Sequence, residues 1–301
     1  MSDNGWKPWL WGCGIGCGLV LLIVVGLFTA SFFFARNMVR GFEDAERSRA
    51  ELATRFGDAG DFTPWPDGAV PAERMEAFLR VREATTEARA KLGDKFKTIQ
   101  QLASNADAGD LDSRSVREKL GFMINIGSSA FGLGAELGDF FAARNNALLE
   151  AGMGPGEYGY VYVLSYYSLL GRSPRDGMDG FQADVHEGAP GGGVRWEVEI
   201  GDERRAGWPN PETRRQVLAV FENQLAALDE TSPEAWRLRL RDEVRALKSD
   251  PSRVPWQDGL PGSIAASLEP YRARLETTYD SRANFFELMP GRSQQVRLDS
   301  D

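Results

Sequence analysis

Residues 8–35 read PWLWGCGIGCGLVLLIVVGLFTASFFFA and run from Lys7 to Arg36 without a single charge. At about 1.5 Å of helical rise per residue the run outreaches the roughly 30 Å hydrocarbon core of a bilayer, so it reads as a transmembrane helix. Trp6, Trp9 and Trp11 at one end, with Phe28, Phe32, Phe33 and Phe34 at the other, have the placement of interfacial aromatic belts. A cleavable signal peptide carries a shorter apolar run that ends in small residues at its cleavage site. Here Thr29, Ala30 and Ser31 are followed at once by three phenylalanines. A lipoprotein signal places its acylated cysteine after the apolar stretch, whereas Cys13 precedes it.

The N-terminal half of the span carries a small-residue face. Gly12 with Gly16 and Gly14 with Gly18 make two overlapping Gly-x-x-x-Gly pairs, and Cys13 with Cys17 repeats the spacing. Lipid supplies no hydrophobic force between helices, so close backbone approach across such a face is a main source of packing energy. The sequence therefore predicts a partner in the bilayer, either a second copy of the chain or another membrane protein. Lys7 on one side of the span faces Arg36, Arg40, Arg47 and Arg49 on the other, and the positive-inside count leans the larger part toward the cytoplasm. Both cysteines of the chain lie in the span, which leaves the rest without a disulfide.

The chain carries 44 acidic against 35 basic residues, a net charge of −9. Neutralising phosphates needs clustered Lys and Arg, so the balance excludes nucleic acid as a partner and leaves the lipid bilayer as the expected one. Glycine and proline punctuate the sequence. They divide it into a short tail (1–7), the span (8–35), a juxtamembrane helix and linker (36–70), a mainly helical soluble domain (71–290) with an irregular or β-hairpin insert (171–209), and a polar C-terminal tail (291–301).

Within the juxtamembrane helix Phe42, Ala45, Arg49, Leu52 and Phe56 recur at three and four residues, the pattern of a helix leaving the bilayer. Gly57 to Gly68, with Pro64-Trp65-Pro66, ends it as a linker. Pro71 opens a long helix with Met75, Phe78, Leu79, Leu92, Phe96, Ile99 and Leu102 on one stripe and a kink expected at Gly93. Ser115 to Glu118 has the form of a capping box for a helix that runs to Ala151 and stops at Gly152. Its uncharged portion, 120–135, is too short and too polar for a second span. Asn210-Pro211 and Ser232-Pro233 mark two further helix starts, and Pro270 must bend or divide a third. Between them Val194, Trp196, Val198 and Ile200 alternate with polar residues as a half-exposed strand does, pairing with 181–186 and laying its apolar face on the bundle. The fold class expected is mainly α: one N-terminal transmembrane helix, then a helical bundle with a small β-hairpin insert.

Chemistry-bearing residues are sparse. Tyr158, Tyr162 and Tyr166 are four apart on a helix that Pro155 starts, a spacing that suits a core and also a tyrosine-lined pocket. His186, the only histidine, sits in Asp-Val-His-Glu and is the one imidazole that could join such a pocket. A lone histidine does not make the multi-histidine sites zinc occupies, and no Gly-x-Ser-x-Gly or phosphate-cradling Gly-x4-Gly-Lys sequence occurs, so no catalytic, metal or cofactor set is expected. The function read from sequence is a single-pass membrane-anchored interaction or scaffold module, not an enzyme. The alternative is a membrane-bound hydrolase that works through carboxylates beside the tyrosines and His186.

Overall fold

The computed structural model describes residues 43–107, 116–178, 182–187, 194–199 and 207–289. The span expected over 8–35, its Gly12, Gly14, Gly16 and Gly18 face, and the tail 291–301 lie outside the described residues. Among the described residues the chain is a mainly helical bundle. No described helix is long and apolar enough to cross a membrane, and that includes the one holding 120–135.

Helix α1 is described over 43–56. It buries Ala45 and Leu52 against the body, as the three-four spacing predicts, but the residue between them on the inner face is Ser48, not Arg49. Ser48 can be buried because its hydroxyl donates to the carbonyls of Asp44 and Ala45, while Arg49 turns outward to Glu46. Residues 57–70 are then tied down side chain by side chain. Phe62 and Trp65 pack edge-on, both reach the Tyr160 ring, and the Trp236 indole donates to the Pro66 carbonyl at 2.6 Å.

The long helix expected after Pro71 is two helices, α2 (Ala72–Ala84) and α3 (Thr86–Asp107). The break falls at Thr85, not Gly93. The Thr85 hydroxyl donates to the carbonyls of Val81 and Arg82, and this back-bonding competes with the regular ladder. Helix α4 (Val116–Ala151) packs on both. It ends where Gly152 takes φ +60°, with Gly152 N–H donating to Leu149 and Met153 N–H to Leu148, the paired bonds that close a helix through a left-handed residue.

Helix α5 (Pro155–Tyr162) passes without a break into a π-helical stretch, Val163–Leu169, in which Leu170 N–H reaches the Ser165 carbonyl five residues back. The wider turn brings residues five apart toward one face. Tyr162, Tyr166 and Tyr167 are thereby all buried, where a regular helix would have turned one of them away. Strands β1 (Gln182–Glu187) and β2 (Val194–Glu199) pair antiparallel, with Val185 opposite Trp196 and His186 opposite Arg195. Helix α6 (Pro211–Ala226) is capped by Asn210, whose side chain accepts from the N–H groups of Glu212 and Thr213. Helix α7 (Glu234–Ser249) follows, then α8 (Gly262–Leu268) and α9 (Arg272–Thr278), divided by a 3-10 turn at Pro270, and finally α10 (Asn284–Glu287).

Among the described residues the apolar interior falls into two clusters. The larger joins Leu52, Phe78, Leu148, the α5 tyrosines, Phe221 and Leu240, and the smaller joins Ala45, Leu92, Phe96, Phe140, Phe285 and Phe286. Helix α1 contributes to both, through Leu52 and Ala45. Helix α10 does the same in another way, giving Phe285 and Phe286 to the smaller cluster while Glu287 reaches a tyrosine of the larger.

A buried guanidinium cluster beside a cleft

Arg82 and Arg89 stand seven apart in sequence, close to two helical turns, on the inner side of α2 and α3, and both are buried. Helix α10 presents Glu287 to them. Arg89 Nε donates to Glu287 Oε1 at 2.6 Å, Arg82 Nη1 pairs with the same oxygen, and the Tyr158 hydroxyl donates to Glu287 Oε2 at 2.7 Å. The rest of the Arg82 fork is filled by the hydroxyls of Tyr158 and Tyr166 and the carbonyl of Thr278, with the rings of Tyr162 and Tyr166 about 5 Å from its carbon. Arg89 Nη2 reaches the Arg82 carbonyl and the Thr85 hydroxyl.

Burial by itself would raise the Glu287 carboxyl, but Arg82, Arg89 and the Tyr158 hydroxyl outweigh it and hold it at about 2. The carboxylate is ionised at every ordinary pH. Burial pushes the Tyr158 hydroxyl well up, so it stays a neutral donor.

A third guanidinium adjoins the group. Arg144 on α4 is 7% exposed, its Nη1 donates to the carbonyl of Glu287 at 2.7 Å, and its Nη2 reaches Asn145 Oδ1 at a long 3.4 Å. Its Nε has no hydrogen-bond partner, and Arg144 makes no ion pair among the described residues. Burial pulls this guanidinium below its ordinary value. Two buried guanidinium groups thus share the Glu287 carboxylate, and the third meets that residue only at its backbone carbonyl.

Arg144, Tyr158 and Glu287 of this group, though not Arg82 or Arg89, line a cleft of about 300 Å³ between α1, α4, α5, α6 and the end of α10. Arg144, Asn145, Tyr158 and Glu287 line its polar end, Leu52, Leu148, Val217, Val220 and Phe221 its apolar wall, and Asp58 and Glu212 stand at the more exposed side. Of the tyrosines singled out from sequence, Tyr158 lines the cleft. Tyr162 and Tyr166 do not. The Tyr162 hydroxyl donates to Asn284 Oδ1 at 2.8 Å, and that of Tyr166 meets Arg82 and Thr278. His186 stands on β1.

Sequence reasoning passed over the four residues that matter here. Arg82 and Arg89 carried a signal, being charges set two turns apart among Phe78, Leu79 and Leu92, all in what reads as an apolar stripe. Glu287 directly follows Phe285-Phe286, and Arg144 comes three residues after Phe141, neighbourhoods that do not name a partner. No known protein family, characterised protein or solved structure matches this chain.

Proposed function

We propose that this chain is a single-pass, membrane-tethered helical module that binds and does not catalyse. The observation that carries the reading is the state of the groups at the cleft. Glu287, the one carboxylate deep in it, is fixed between two arginines and ionised far below neutrality, so it has no proton to give and little basicity to take one. Tyr158 has its hydroxyl committed to that carboxylate. The alternative of a carboxylate hydrolase with a tyrosine-lined pocket is favoured less, because Tyr162 and Tyr166 turn their hydroxyls to Asn284, Arg82 and Thr278 and do not line the cleft.

The tether is the uncharged run 8–35, which leads within a few residues into α1, the helix that closes one wall of the cleft. Its glycine face offers a second copy of the chain, or another spanning protein, a surface for close approach. Alkaline washing of membranes that contain the full chain, followed by sulfhydryl crosslinking through Cys13 and Cys17, tests both parts. The chain is expected to stay with the membrane pellet and to crosslink to itself, and Gly14→Ile with Gly18→Ile together to cut crosslinking several-fold while leaving the chain in the pellet. Release by alkali would overturn the tether. Unchanged crosslinking in the double variant would overturn the glycine contact.

A further inference from the structure

We infer that the cleft binds a single-chain alkyl carboxylate, with the carboxylate head on Arg144 and the chain along Leu52, Leu148, Val217, Val220 and Phe221. The inference deepens the binding reading above and rests on it.

The head is assigned from an imbalance of charge. Arg82, Arg89 and Arg144 are all buried, and the carboxylate of Glu287 is taken up by Arg82 and Arg89, which leaves Arg144 only the backbone carbonyl of that residue. Arg82 and Arg89 are saturated by the carboxylate and by neighbouring hydroxyls and carbonyls. Arg144 is not. Its Nη1 is used on backbone carbonyls, its Nη2 has one long bond to Asn145, and its Nε has none. Nε and Nη2 form one edge of the planar guanidinium, and that edge matches the two oxygens of a carboxylate. A buried cation without a counter-charge is costly, and an entering anion removes the cost.

The chemistry of the rest of the site narrows the anion. Among the described residues no lysine lines the cleft, and the one other lining arginine, Arg49, is turned to Glu46. Asp58 and Glu212 line the more exposed side, where a dianionic phosphate or sulfate approaching from solvent would be repelled. A monoanion with one pair of oxygens suits a single guanidinium edge whose Nε has no partner and whose Nη2 has one long bond. The wall beyond it is aliphatic and aromatic, and the volume lies at the small end of the range for ligand pockets, which fits an unbranched chain of about ten carbons.

The test uses the full chain in membranes and a decanoic acid bearing a diazirine near its methyl end, with its methyl ester as the uncharged control. After illumination, labelled peptides are mapped by mass spectrometry. Labelling is expected on the segments holding Leu52, Leu148 or Phe221, at least five-fold stronger for the acid than for the ester. Arg144→Met should abolish the preference for the acid, and Arg144→Lys should restore part of it. Ala53→Trp, which fills the cleft from α1 without touching Arg144, should lose labelling by either probe, and it decides the matter if Arg144→Met does not fold. Equal labelling by acid and ester in the parent chain, or full labelling of the Ala53→Trp chain, overturns the assignment. Alkaline washing of the same membranes reads the tether separately, so a chain that labels but washes off refutes the membrane reading alone.

Discussion

Glu287 is a 1% exposed carboxylate on a four-residue helix, and its neighbours make its contribution to stability predictable in sign and in pH. Glu287→Gln keeps the shape but leaves Arg82 and Arg89 buried without a counter-charge, and breaking a buried pair from one side costs about 3–5 kcal/mol. The pH dependence follows from the depressed carboxyl. Its folded value of about 2 lies below the ordinary 4.5, so the stabilisation is complete above about 4.5 and is lost as pH falls toward 2. At about 1.4 kcal/mol for each tenfold, roughly 3 kcal/mol is lost over that interval. Urea midpoints at pH 6, 4.5 and 3 should show the parent chain falling toward the Glu287→Gln chain below pH 4.5. Parallel curves for the two chains would mean that Glu287 is not the titrating group. None of this was legible from the sequence, because Glu287 lies well over a hundred residues from its partners and an acid after Phe285-Phe286 reads equally well as a turn back to solvent.

At the scale of elements, helix α5 separates what its sequence announces from what it conceals. Its start at Gly154-Pro155 and the stop of α4 at Gly152 were readable, as were the Asn210 cap and the division at Pro270, because each is a local signal with a local cause. The π-helical continuation was not readable, since five-residue hydrogen bonding has no residue signature and is imposed by the demand to bury Tyr162, Tyr166 and Tyr167 together. The break at Thr85 was missed for the opposite reason, a hydroxyl back-bond overriding the helix propensity around it. Two glycines of α5 give a matched test of packing against propensity. A Cβ on Gly156 would lie 2.3 Å from the Ala59 carbonyl oxygen and 2.6 Å from Phe62 Cβ, whereas one on Gly159 would meet only Leu288 at 3.9 Å. Gly156→Ala should therefore cost about 1–3 kcal/mol through overpacking. Gly159→Ala should be neutral or stabilise by up to about 1 kcal/mol, because alanine replaces glycine inside a helix. Thermal denaturation of the two chains side by side reads the difference, and similar losses in both would show that the approach of α5 to the turn at Ala59 is not tight.

For the whole molecule, the boundary between stalk and domain decides what folds as a unit. The sequence reading set 36–70 apart because its glycines and prolines look like a linker, and composition alone does not reveal that Phe62, Trp65 and Pro66 are pinned by residues 160 and 236. Helix α1 enters both apolar clusters, with Leu52 2% exposed in the larger and Ala45 fully buried in the smaller, and it also walls the cleft. It answers a polar need as well, since the buried Asn145 side chain donates to the Ala45 carbonyl at 3.1 Å. Removing α1 would expose the partners of Leu52, a loss of about 1.5–3 kcal/mol for that side chain, and would take away the acceptor of a buried amide, a further loss of about 1–3 kcal/mol. A chain that begins at Gly57 should therefore unfold several kcal/mol more easily in urea than one that begins at Arg36, although both keep every other described helix. It should also lose the photolabelling expected of the cleft, because Leu52 and Ala53 form part of that wall. Equal urea midpoints for the two chains would show that α1 rests on a body stable without it, and the segment 43–56 would then be a connector and not a part of the fold.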